Sequence, residues 1–192
     1  EGELGNVLHV HARVGTYITL MNSGSRYQEY NPGSLFLDYS HQPDMFLWLL
    51  GRAPSAISVS AFQGGELELT SNPNVAVIVY EYDSPLIATL HLNYVQMPQC
   101  HDYEIVGDRG WAQASFPSGR VTIGRRSDQS VREEILGHGP DDLYRSEHDA
   151  FFLAVDSGAA PETSAADGVI STSICEASIE AWRTRRRVAC GA

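Results

Sequence analysis

Cysteine is scarce in this chain: Cys100, Cys175 and Cys190 are the only three, an odd count without close spacing. Such a set supports neither a disulfide framework nor a zinc site, and it fits a reducing, cytoplasmic setting best. Long apolar runs are lacking as well. No stretch approaches the roughly 20 residues needed to span a bilayer, and no charged start followed by an apolar segment marks a signal peptide, so a soluble protein with no membrane partner is expected. Positive charge is in short supply too. A net charge of −11 and a pI near 4.9 leave no electrostatic footprint for nucleic acid or an anionic membrane surface. The basic cluster of Arg183 with Arg185 to Arg187 falls at the end of a predicted helix, where cations complement the negative end of the helix dipole. A Gly-x-Gly-x-x-Gly turn between a strand and a helix is also missing. Gly107-Asp108-Arg109-Gly110 lies between predicted strands, where it makes a turn that cannot aim a helix N-terminus at a pyrophosphate. The chain begins at Glu1 rather than Met, which points to processing, truncation or a fragment.

What is present is apolar patterning. With 43% hydrophobic residues, a chain of 192 can bury a substantial core, and residues 1–192 read most simply as one domain. From Val7 to Val14, apolar and polar residues alternate with period two, a half-buried strand that places His9, His11 and Arg13 on one face. Two alternating histidines resemble metal ligands, but no third ligand lies nearby in sequence, so an exposed polar face is expected and no metal site. Tyr17 to Gly33 is rich in turn formers and reads as a long loop. Ser40 can cap a helix with Pro43 in its first turn and Gly51 at its end; its Met45 to Leu50 run is apolar on nearly every side, which predicts burial against a sheet. Strands follow over 57–63, 66–70, 74–82, 86–95, 103–106, 111–116 and 120–124, joined by turns too short for parallel crossovers. After a polar stretch from Asp128 to Asp142 come two helices. The first carries Tyr144, His148, Phe152 and Val155 at helical spacing, and the second carries Ile170, Ile174, Ala177 and Ala181. The expected fold is α+β: a large, mainly antiparallel, open-faced sheet with helices packed on one face.

The chemistry concentrates between Gly33 and Gly51, in GSLFLDYSHQPDMFLWLLG. His41 stands at a predicted helix N-terminus, where the local partial positive charge opposes protonation and favours a neutral imidazole, useful as a base near pH 7. Asp44 follows three positions on, sharing a helix face with His41, and Asp38 precedes it by three, close enough to orient the ring or contact a substrate hydroxyl. The same residues fit a purely structural arrangement in which Asp38 and Ser40 cap the helix and His41 is a satisfied core residue. Spacing alone does not choose between them.

The segment resembles the motif that opens the second domain of the Gfo/Idh/MocA oxidoreductases: an approach through glycine, an acidic residue, a His, another Asp, and a Trp-Leu helix ending in Gly. Glu1 to Val7 is similar to the family's link between domains, and Arg13 to Tyr17 to the strand exit that follows. Leu90 to Gln96 and Glu104 to Gly110 resemble sheet strands and the Gly turn of its sugar-type members, and Tyr144 to Val155 and Asp167 to Val188 its closing helices. Here the glycine run is reduced to Pro32-Gly33-Ser34, and Gln42 and Pro43 stand where the family usually carries Glu and Ile. The resemblance implies an enzyme of two domains, of which this chain holds the second, without the Rossmann domain and its catalytic Lys. It implies hydride transfer between NAD or NADP and a sugar, cyclitol or related hydroxy compound such as a polyol, with His41 and Asp38 catalytic. Tyr17, Tyr27, Arg13 and Asp44 are the substrate-binding candidates. The cofactor would belong to the full-length protein and not to this chain alone, and dimers would form through the sheet. A free-standing ligand-binding or dimerisation module, and a split enzyme whose Rossmann half is a separate polypeptide, are the alternatives.

Overall fold

The computed structural model describes residues 2–137 and 139–190. Among the described residues nine strands form a single sheet: β1 (Val7–Gly15), β2 (Ala56–Phe62), β3 (Val75–Glu81), β4 (Ile87–Asn93), β5 (Cys100–Gly107), β6 (Gly110–Ser115), β7 (Arg120–Arg125), β8 (Val131–Ile135) and the short β9 (Val188–Ala189). Their spatial order is β8-β7-β6-β5-β1-β4-β3-β2-β9. Only β1 and β4 run parallel; every other described pair is antiparallel. The parallel pair is permitted because the helices between β1 and β2 supply the long crossover that parallel strands need. These are α1 (Ile18–Met21), a 3-10 segment (Ser23–Glu29), α2 (Ser34–Asp38) and α3 (His41–Leu50); α4 (Pro140–Ser157) and α5 (Ala165–Thr184) come late.

One sheet face is dry. Val10, Ala12 and Val14 of β1, Ala88, Leu90 and Leu92 of β4, and Ile78 and Tyr80 of β3 are buried there, as period-two alternation requires. Leu35 and Phe36 of α2, Phe46 of α3, and Ile174 and Ala181 of α5 complete that core. Phe46 meets Tyr80 edge-on at 5.6 Å, and Phe36 packs against Trp182 at 5.9 Å. Gly33 begins α2 at φ 93°, a left-handed value that a residue with a Cβ adopts only under strain, and the side chains of Ile179 and Trp182 lie immediately over it. The opposite face carries His9, His11 and Arg13 of β1, beside Thr89 and His91 of β4 and Asp102 and Glu104 of β5, and is open.

Several expectations need correcting. The segment from Tyr17 to Gly33 is short helix rather than loop, anchored by the buried Leu20. Residues 66–70 form no strand. Buried Asn74 instead closes the 64–74 loop, accepting from the Gly64 N–H and donating to the Gly64 carbonyl and the Thr70 hydroxyl, so the loop is tied across its ends without a ladder. Part of the polar stretch 128–142 is β8; all five residues are exposed, so no apolar alternation announces it. Ser40 makes no side-chain cap, because α2 runs almost directly into α3 and leaves Ser40 in helical geometry. Trp48 of α3 is exposed rather than buried. The largest departure is α4, whose described side chains are exposed except for half-buried Ala154; it does not cover the sheet, and α5 alone of the two late helices does.

Candidate functional site

Asp38 ends α2 and His41 begins α3, so the bend between the two helices sets both at one corner of the dry face. Tyr39 fills the bend. Its ring lies 5.8 Å from that of His41 and 5.5 Å from that of Tyr94, which follows directly on β4. The Tyr94 hydroxyl donates to Asp38 Oδ2 at 2.6 Å, a short charge-assisted bond from a fully buried side chain. Burial first, and then the Asp38 carboxylate, hold the Tyr94 phenol well above its ordinary pKa, so it remains a donor. The Tyr39 hydroxyl is buried with Thr19 as its polar neighbour and makes no well-formed hydrogen bond; burial raises its pKa as well.

His41 keeps part of its surface in solvent, while the protein crowding the rest of the ring pushes its pKa below the usual histidine value. Asp38 and Asp44 pull in the opposite direction but do not reverse the shift. The result is an imidazole that is neutral near pH 7 and reachable from outside. Such a group can accept a proton from a bound hydroxyl.

The remaining predicted residues lie in different places. Tyr27 is exposed, and with Gln28, Asn31, Ser34, Leu37 and Asp38 it lines a surface depression of about 510 Å3, so it belongs with Asp38. Asp44 turns toward α5, where the Ser171 hydroxyl donates to it at 2.7 Å. Tyr17 is half-buried, and its hydroxyl accepts from the Leu69 N–H at 3.2 Å, fastening the 64–74 loop. Arg13 is on the opposite sheet face, paired with Asp102 at 2.9 Å. The structure therefore sets Asp38 near His41 at the helix junction and beside Tyr27 in the depression, whose lining does not include His41, and it directs Tyr17 to Leu69 and Arg13 to Asp102.

Sequence reasoning missed three neighbours. Tyr94 shows in the sequence only as another inward apolar position of the predicted 86–95 strand, and Tyr39 only as a residue between Asp38 and His41. His101 lies just ahead of the predicted 103–106 strand, but β5 begins at Cys100, and pairing with Val14 puts His101 on the dry face. An earlier strand start was the available signal. Among the described residues no group of three or more His, Cys, Asp or Glu is arranged to hold a metal ion, and no helix is long and apolar enough to cross a membrane.

This combination is an α+β domain with a His and an Asp at a helix junction beside a large, mainly antiparallel open sheet, and no dinucleotide-binding βαβ unit lies among the described residues. The GFO/IDH/MocA C-terminal domain model matches residues 1–113, and the chain belongs to that family. No curated protein matches the sequence. Among solved structures, levoglucosan dehydrogenase in complex with NADH and L-sorbose superposes with a TM-score of 0.85 at 18% identity, covering 99% of this chain and 60% of that one. An oxidoreductase from Agrobacterium radiobacter in complex with NAD+, L-tartaric acid and magnesium gives 0.78 at 16%, covering 98% and 58%. An NAD binding oxidoreductase from Klebsiella pneumoniae gives 0.78 at 12%, covering 100% and 60%. The chain thus spans about three fifths of the length of these solved relatives.

Proposed function

We propose that this chain, as one domain over residues 1–192, is the substrate-binding half of an NAD(P)-dependent oxidoreductase acting on a sugar, cyclitol or other polyol. The observation that carries the reading is His41, accessible and set close to Asp38 where α2 meets α3, within the residues 1–113 that match the family model. His41 takes the proton of the substrate hydroxyl as the carbinol hydrogen departs as hydride, leaving a carbonyl, and returns it in the reverse direction. Asp38, steadied by Tyr94, accepts a hydrogen bond from a neighbouring hydroxyl, and Tyr27 borders the same depression.

The cofactor does not fit the residues present. Among the described residues no glycine-rich turn leads from a strand into a helix, and all 13 of the Lys and Arg residues are Arg, so the lysine that the family resemblance implies is not among the residues of this sequence. The nicotinamide that accepts the hydride is assigned to a separate nucleotide-binding half, without which the chain is inactive. The open sheet face, where Val77, Ile87 and Phe62 are exposed among the His and Arg side chains, is assigned to homo-oligomerisation.

The test is His41→Ala in the enzyme assembled with its nucleotide-binding half, assayed first with levoglucosan and L-sorbose, since structures of levoglucosan dehydrogenase contain these compounds. Turnover is expected to drop about 10²- to 10⁴-fold while cofactor affinity is unchanged. Full kcat in the variant rejects the assignment. In the parent enzyme, activity in the oxidative direction should be lost only as pH falls through a His41 pKa lying below the ordinary histidine value.

A further inference from the structure

A network below His41 has no part in the function proposed so far. Gln42, the next residue of α3, is fully buried and reaches across to β5. Its Oε1 accepts from the Tyr103 hydroxyl, and its Nε2 lies 3.2 Å from His101 Nε2. The amide orientation follows from donor accounting. Tyr103 is buried, Gln42 is the partner of its hydroxyl, and burial keeps the phenol protonated. If the amide were rotated, Tyr103 would accept from the NH2 group and its own proton would be buried without an acceptor. With the amide as placed, His101 faces an N–H that only donates, so His101 Nε2 must be an acceptor. The ring proton is then on Nδ1, which makes no hydrogen bond to the described residues.

The ring is held from other sides as well. Phe116 stacks on it at 4.4 Å and 13°, and the Tyr103 ring lies at 5.5 Å. The charged and titratable groups that act on it are His41 from α3, which opposes a second proton, and Asp102 from its own strand, which favours one; burial, the largest influence, acts with His41 against Asp102 and keeps the ring neutral. His101 is on the same sheet face as Asp38 and His41. We propose that His101 is a specificity-determining residue of this site, locked by Gln42 and Tyr103 in the Nδ1–H tautomer so that it donates to a hydroxyl or carbonyl oxygen of the substrate beside His41. The donor role rests on the functional reading above; the tautomer does not.

Long-range ¹H–¹⁵N correlation on the histidine rings of the 192-residue chain reads the tautomer without substrate. A protonated Nδ1 with a bare Nε2 is expected at His101, and Gln42→Glu, which offers an acceptor instead of a donor, should move the proton to Nε2. A wild-type His101 protonated on Nε2, or doubly protonated at pH 7, overturns the proposal. The donor role is read in the assembled enzyme with its best polyol. His101→Asn keeps an N–H near the Nδ1 position and should hold KM within about threefold, whereas His101→Gln keeps only the contact to Gln42 and should raise KM about tenfold with little change in kcat. The opposite ranking, or equal losses in kcat, removes His101 as a donor. An enzyme that oxidises no polyol overturns the functional reading and the donor role together, while the tautomer result stands by itself.

Discussion

The sheet has two regions of different physical character. From β5 through β1, β4 and β3 to β2, the strands are covered by α2, α3 and α5, and the buried hydrophobic core among the described residues comes from these elements, α1 and their connections. Strands β6 to β8 and helix α4 contribute no buried large side chain, and Leu143, Tyr144, Phe151, Phe152, Leu153 and Val155 of α4 are all exposed. The first region is held by burial, the second by hairpin ladders and exposed ion pairs. Glu3 shows the second mode: its carboxylate binds Arg125 and Arg132, tying the incoming chain to β7 and β8. The candidate site lies wholly within the first region. Close-packed surroundings can hold Tyr94, Gln42 and His101 in fixed orientations, and a ladder open to water cannot.

The strongest test of this contrast is Phe46→Ala. Phe46 is buried between Tyr80 and Tyr103, so truncation should cost about 3–5 kcal/mol in chemical denaturation. A loss below about 1 kcal/mol would mean that the covered region is not what sustains the fold. Next in size is Tyr94→Phe, which removes the donor to Asp38 while keeping the ring. A hydrogen bond to a charged group predicts a loss of about 1.5–3 kcal/mol, together with a changed His41 titration as the carboxylate loses its anchor. Denaturation and histidine NMR on the same variant check both parts.

These two variants also show what was legible in the sequence. The alternation in β1, the Gly51 stop of α3 and the Ile174–Ala181 stripe of α5 are local patterns with one physical meaning, and each appears where periodicity places it. β8 was not legible because an exposed edge strand has no apolar face to display. The exposure of α4 was not legible either, since an apolar stripe tells that a helix can be covered and not what covers it. In the site, Asp38 and His41 are neighbours in sequence and could be found together. Tyr94 and His101 come from 56 and 59 positions beyond their partners Asp38 and Gln42, and only strand register brings them in.

A smaller effect should separate the two regions by pH. The arginines Arg132 and Arg125 hold the Glu3 carboxyl down at about 2, against an ordinary value of 4.5. With the folded pKa depressed, the contribution of this cluster is present above the unfolded value and is lost as pH falls through that window toward 2. Amide exchange in β7 and β8 should therefore speed up between about pH 4.5 and 2 before exchange in β1 and β4 does. Glu3→Gln, which cannot carry the charge, should speed exchange in β7 and β8 already at neutral pH and remove the step between about pH 4.5 and 2. Uniform loss of protection across the sheet would show that the two regions unfold as one.

The smallest expected effect is the most discriminating. Phe151 of α4 is 60% exposed and stacks edge-on against Phe152 rather than against the sheet. Replacing it by Ser removes a large apolar side chain, yet in this chain there is almost no burial to lose, so stability should change by no more than about 0.5 kcal/mol. The same substitution in a core position would unfold a marginal protein, and the comparison with Phe46→Ala isolates burial from side-chain identity. A loss above about 1 kcal/mol would place α4 against another surface and end the contrast between the two regions. If stability holds but the variant becomes more soluble, the stripe is an uncovered apolar surface, and the energy that a partner could gain from it has been left unspent by this chain.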